Sequence, residues 1–219
     1  MTNDGPPIPY AAVHGILEVG LACLLILGLT SQGIAGYEEG VAALDRGDYP
    51  GALQELFPLA KAGFPPAQHT LGVMYEEGRG VWRDYGEALR WYRLAAAQGL
   101  ADAQVNLGVM YSRGQGVPQD HAEALRWYHL AAAQGNAWAM NNLGVMHERG
   151  TGVPQDLVHA FAWYELAVAH TSQGPPRGLS IRNRDRVARE LPPDQRGRAH
   201  RIVQDLEARF FQAREASRK

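Results

Sequence analysis

The chain has 219 residues, a formal net charge of -2 at pH 7 and 20% charged residues. This balance is typical of an ordinary folded protein and gives no indication of a disordered one. A net charge near zero gives no reason to expect nucleic acid as a partner. The single cysteine, Cys23, excludes an intrachain disulfide.

The first predicted element is an apolar run from Val19 to Leu29. Its eleven residues are too few to span a bilayer but match the core of a signal peptide. Gly33-Ile34-Ala35 before Gly36 offers an A-x-A-like cleavage site, although no Lys or Arg precedes Arg46. Residues 1–35 are therefore predicted to be a signal peptide, which would place the protein in the periplasm or outside the cell. An uncleaved inner-membrane anchor and a mis-assigned start or cytoplasmic arm are the alternatives.

Residues 36–66 are predicted to form a degenerate first repeat. Asp48, Ala52, Ala60 and Gly63 recur 36 positions later in the chain. Pro58 is expected to kink the second helix of this unit or to end it early, because proline removes a backbone hydrogen bond.

A motif of alanine, leucine, glycine and methionine then recurs at an interval of 36 residues. Its copies are residues 67–75, 103–111 and 139–147. A second motif that ends in tryptophan and tyrosine follows at the same interval, in residues 88–92, 124–128 and 160–164. Three tandem repeats are therefore predicted at 67–102, 103–138 and 139–174.

Each repeat is predicted to be a helix, a short loop and a second helix. Ala67, Leu71, Met74 and Tyr75 have the spacing of one helix face. Paired glycines suit a loop that reverses the chain, and an aspartate stands where each second helix begins. One helix pair cannot cover its own apolar face, so the repeated positions are predicted to form a core between neighbours.

The last segment, residues 175–219, is predicted to be a basic helical cap of two helices broken by Pro192 and Pro193. It contains twelve Arg and Lys residues against six Asp and Glu residues. A solvated cap is one interpretation. Peripheral contact of this tail, or of the N-terminal segment, with an anionic membrane surface or an acidic partner is the other.

These repeats resemble the Sel-one-like repeat (SLR) family, relatives of the tetratricopeptide repeats. The pattern L-G-x-x-Y, G-x-G-V-x-x-D, A-x-x-W-x-x-x-A-A-x-x-G is matched nearly in full from Ala67 to Gly135. His147 replaces the tyrosine of the third copy, and Trp82 stands where the later loops have proline. The resemblance implies an all-α fold, a right-handed α/α superhelical solenoid of antiparallel helix pairs.

The resemblance also implies that the first helix of each repeat lines a concave groove for a protein or peptide. The predicted partner-binding residues at these positions are His69, Asn106, Arg113, Trp138, Asn141, Asn142 and Arg149. Asparagine can bond the backbone of an extended peptide, arginine can hold a carboxylate, and Trp138 could anchor an interface. Local capping or bonding between repeats is the alternative for the asparagines, and ordinary solvated surface is the alternative for the arginines.

No catalytic motif is found, because the sequence has no H-E-x-x-H, G-x-S-x-G, S-x-x-K or P-loop pattern. No enzymatic activity, cofactor or metal site is predicted. The predicted function is a non-catalytic protein-interaction scaffold or adaptor in the bacterial cell envelope. An envelope glycan-binding or cell-wall hydrolase-type protein is the alternative.

Overall fold

The computed structural model describes residues 31–171 and 174–216. All regular secondary structure in these two ranges is α-helical, in ten helices. No helix in this part of the chain is long and apolar enough to cross a membrane. The apolar run from Val19 to Leu29, with Cys23, lies outside the described residues, so its role as a signal peptide or anchor stays a prediction.

The helices follow one another through short loops. They are α1 (Ser31–Asp45), α2 (Tyr49–Lys61), α3 (Pro65–Glu77), α4 (Tyr85–Ala97), α5 (Ala101–Arg113), α6 (His121–Ala133), α7 (Ala137–Arg149), α8 (Leu157–Ala169), α9 (Pro175–Glu190) and α10 (Pro193–Ala216). The predicted repeats correspond to the pairs α3–α4, α5–α6 and α7–α8, and each of these helices has 13 residues.

The described residues form two compact units. The N-terminal unit comprises residues 31–107 and 115–118, and the C-terminal unit comprises residues 108–114 and 119–216. Helix α5 therefore contributes its first half to one unit and its second half to the other.

In the N-terminal unit, α1 and α2 form the pair that was predicted as a degenerate repeat. Asp48 caps α2 by accepting a hydrogen bond from the backbone N–H of Gly51 at 3.0 Å. The helix continues through Pro58 to Lys61, so the expected early end is not found. Pro58 and Gln54 are exposed, so water can satisfy the carbonyl that proline leaves without a partner.

The loop of the third repeat shows how a helix pair reverses direction. Gly150 ends α7 with a φ of 67°, a left-handed conformation that favours glycine. Asp156 then begins α8, and its carboxylate accepts hydrogen bonds from the backbone N–H groups of Val158 and His159. The N–H of Asp156 donates to the carbonyl of His147 at 2.8 Å, which closes the loop.

Within each repeat, a glycine of the first helix lies against a tyrosine ring of the second. A Cβ atom at Gly144 would lie 2.5 Å from a ring carbon of Tyr164, so no larger residue fits. The hydroxyl of Tyr164 donates a hydrogen bond to Glu148 at 2.6 Å. The first repeat has the same arrangement, with Gly72 against Tyr92. The glycines of the motif therefore let paired helices approach closely.

The C-terminal cap packs onto the third repeat. Helix α9 contacts α7 and α8, and α10 contacts α8. Val187 of α9 and Ala199 of α10 share a buried apolar cluster with Val158 and Phe161 of α8. Helix α9 begins at Pro175, because proline is accommodated in the first turn of a helix.

Candidate functional site

The predicted partner-binding residues lie on α3, α5 and α7, the first helices of the three repeats. Five of them are buried, and these are His69, Asn106, Trp138, Asn141 and Asn142. Arg113 is partly exposed at the end of α5, and Arg149 is exposed at the end of α7. The structure therefore separates a buried set from two arginines that solvent or a partner can reach.

In the N-terminal unit, His69 and Asn106 contact each other inside the protein. The amide Nδ2 of Asn106 lies 3.1 Å from Nε2 of His69, whose ring lies 5.6 Å from the ring of Tyr92. Burial lowers the pKa of His69, and the negative charge of Asp102 opposes that shift. The imidazole is therefore neutral at pH 7, and its Nε2 accepts a hydrogen bond from the Asn106 amide.

Each partner in this contact also has a polar atom to spare. Nδ1 of His69 and Oδ1 of Asn106 find no hydrogen-bond partner in the part of the chain that the structure describes. A buried donor or acceptor without a partner costs about 1–3 kcal/mol. Both atoms are buried, so this cost is borne inside the N-terminal unit.

In the C-terminal unit, Asn141 joins the third repeat to the cap. Its Oδ1 accepts hydrogen bonds from the Ser180 hydroxyl at 3.2 Å and from the Asn183 amide at 3.1 Å. Ser180 and Asn183 were not singled out in the sequence because α9 lies outside the 36-residue pattern. For Asn106 and Asn141 the structure favours the alternative to partner binding, which is hydrogen bonding between helices. Direct contact of these residues with a partner stays a prediction.

The two arginines occupy the same position in consecutive repeats, one interval of 36 residues apart. In the first repeat this position is Glu77, which forms an ion pair with Arg79 at 2.5 Å in the N-terminal unit. The neighbouring Glu148 is already paired, since it accepts hydrogen bonds from Tyr164 and from Arg186 of α9. The charge at the ends of the first helices therefore differs between the first repeat and the two that follow it, while the core does not.

One large apolar side chain is almost fully exposed. Trp82, in the loop between α3 and α4, is 95% exposed. Trp82 departs from the repeat pattern, since the later loops have Pro118 and Pro154 at this position. Among the described residues, no group of three or more His, Cys, Asp or Glu side chains could hold a metal ion.

The family comparison matches three copies of the Sel1 repeat, at residues 65–100, 101–136 and 139–172. A comparison with curated protein sequences finds no match.

Two solved structures are similar to this chain. The Sel1 repeat protein from Oxalobacter formigenes is 33% identical with a TM-score of 0.58, over 62% of this chain and 56% of that one. The protein c5321, a protective antigen present in uropathogenic Escherichia coli strains, displays an SLR fold and is 34% identical with a TM-score of 0.60. That match covers 75% of this chain and 34% of c5321. The chain thus spans about half of the first relative and a third of the second.

The repeats found in the sequence coincide with the matched family repeats to within a few residues. The all-α helical-repeat fold is confirmed by the described helices and by the two solved relatives. The chain therefore belongs to the Sel1-like repeat family.

Proposed function

We propose that this chain is a non-catalytic scaffold that binds an acidic protein or peptide segment through the first helices of its repeats. Sel1-repeat proteins are in general protein-interaction scaffolds and are typically non-catalytic. The polar residues of the first helices change between repeats while the core is kept. This variation supports the proposal that these helices form the binding surface.

The observation that carries the proposal is the pair of arginines in the C-terminal unit. Arg113 and Arg149 end the first helices of two consecutive repeats and are partly or fully exposed. An arginine guanidinium offers a fork of N–H donors that matches a carboxylate, and such charge-assisted bonds are among the strongest in interfaces. A partner segment with two acidic side chains would therefore fit this surface.

The buried residues have a different part in this proposal. Asn141 holds α9 to α7, and His69 and Asn106 hold α3 to α5 in the N-terminal unit. They support the helices that carry the surface residues.

The test is the double substitution Arg113→Glu and Arg149→Glu, which introduces the type of residue that the first repeat has at Glu77. Affinity for a partner purified from native extract should fall by about 10- to 100-fold, because two favourable charge contacts become repulsive. Isothermal titration calorimetry gives the Kd. The stability of the variant should change little, since both side chains reach the surface.

Two further variants separate binding from folding. Arg126 is an exposed arginine of the same unit that pairs with Glu123 on α6, the second helix of its repeat. Arg126→Ala should therefore leave the affinity unchanged. Asn141→Ala should lower the free energy of unfolding by about 1–3 kcal/mol, because Ser180 and Asn183 lose their acceptor. Equal affinities for the parent and the double variant, or binding of purified peptidoglycan in place of a protein, would contradict the proposal.

We also propose that the scaffold acts in the cell envelope. The support is the apolar run from Val19 to Leu29, which has the length of a signal-peptide core. Intact mass and N-terminal sequencing of the protein from its host should give a mature chain that begins close to Gly36. A chain that keeps Met1 and fractionates with the cytoplasm would contradict export.

A further inference from the structure

The third repeat has two histidines where the second repeat has a tyrosine and a glutamate. His147 takes the position of Tyr111, and His159 takes the position of Glu123, each 36 residues later. The two substitutions meet in space, because the His147 and His159 rings are stacked with centroids 5.2 Å apart and an angle of 19° between their planes.

Both histidines contact Asp156 at the end of the loop that joins α7 to α8. Nδ1 of His159 lies 2.8 Å from the Asp156 carboxylate, which also caps α8. The backbone N–H of Asp156 donates to the His147 carbonyl. Nδ1 of His147 is buried and has no hydrogen-bond partner among the described residues. The loop therefore closes directly on the imidazole pair.

The charged and titratable groups around the pair would compensate a positive charge on His147 only in part. Asp156 is the acidic group that acts on His147, whereas His129 of α6 acts in the opposite direction. His121 of α6 lies against Gly152 of the same loop. On α7 itself, Glu148 is occupied by Arg186 of α9 and by Tyr164, and Arg149 adds a positive charge.

We propose that the imidazole pair is an acid-sensitive latch. When His147 takes up a proton, its positive charge lies in a half-buried place beside the ring of His159, and the loop at residues 150–156 opens away from the ends of α7 and α8. The second repeat has no such pair, so its loop at residues 114–120 stays closed over the same pH range. This inference does not depend on the proposed partner binding.

The direction of the effect follows from proton linkage. Burial first, and then the neighbouring His159, lower the pKa of His147 to about 4. Because an open loop would give His147 a pKa near 6.5, the open state binds the proton more readily between pH 6.5 and pH 4. Opening is therefore favoured as the pH falls through this window. Full linkage from His147 would raise the opening equilibrium by roughly 75-fold at pH 4.5, and solvent screening of the half-buried ring reduces this to about tenfold or more.

Hydrogen exchange of the full chain at pH 7 and pH 4.5 tests the latch. The backbone amide of Asp156 should lose at least about tenfold in protection, after correction for intrinsic exchange rates. The amide of Asp120, which donates to the Tyr111 carbonyl at 2.9 Å in the same unit, is the internal control and should change less than about threefold.

The double variant His147→Tyr and His159→Glu gives the third repeat the residues of the second. It should abolish the acid-dependent loss at Asp156 and leave Asp120 unchanged. Parallel protection of the two amides in the parent chain would overturn the proposal, as would an undiminished acid response in the double variant. The parent comparison decides the matter alone if the variant fails to fold.

Discussion

Replacing Gly144 with alanine is expected to destabilise the C-terminal unit by about 2 kcal/mol, although alanine is the better helix former. The added Cβ would lie 2.5 Å from a ring carbon of Tyr164, much closer than carbon atoms can pack. Overpacking of this kind costs about 3 kcal/mol, and the helix propensity of alanine returns about 1 kcal/mol. Urea denaturation followed by circular dichroism measures the difference as a shift in midpoint at constant slope.

Gly197 provides the matched control, since it is also a glycine inside a helix of the C-terminal unit. No atom lies within 4 Å of the place where its Cβ would be. Gly197→Ala should therefore stabilise the protein by about 0.5–1 kcal/mol. If Gly144→Ala raises the midpoint as Gly197→Ala does, the close packing of Gly144 on Tyr164 does not limit the size of the residue at this position.

The fold of the repeats was predictable because the same residue types recur at the same spacing along the chain. Gly72 and Gly144 each face a tyrosine twenty residues later in the sequence, and the structure brings these pairs together. The cap was predictable only as two helices. The contact of Asn141 with Ser180 joins a repeat to a helix outside the pattern, so no spacing in the sequence indicated it.

The candidate site was harder to predict, because a position on a helix does not reveal which neighbours cover it. His69 and Asn106 are polar, and polar residues on the first helices were expected to face a partner. The structure shows that they are buried and contact each other between neighbouring helices. The arginines remain accessible because they lie at helix ends, where the chain turns away into a loop.

Leu130 and Leu166 show the same limit, since they occupy one position of consecutive repeats and carry identical side chains. Leu130 is 42% exposed, whereas Leu166 is 0% exposed. Both cap helices pack on α8, and α10 places the ring of Phe210 6.0 Å from that of Trp163, so we attribute the burial of Leu166 to the cap. The burial of a repeated residue therefore depends on an element that does not repeat.

This difference predicts that Leu166→Ala will be far more damaging than Leu130→Ala. Truncating a fully buried leucine costs about 2–5 kcal/mol through lost burial and the cavity left behind. The half-exposed Leu130 should cost less than about 1 kcal/mol, because water already reaches much of its surface. Urea denaturation of both variants gives the two free energies of unfolding. Equal losses of unfolding free energy in the two variants would show that the cap does not shield α8 in solution. That result would contradict the packing of the cap on the third repeat.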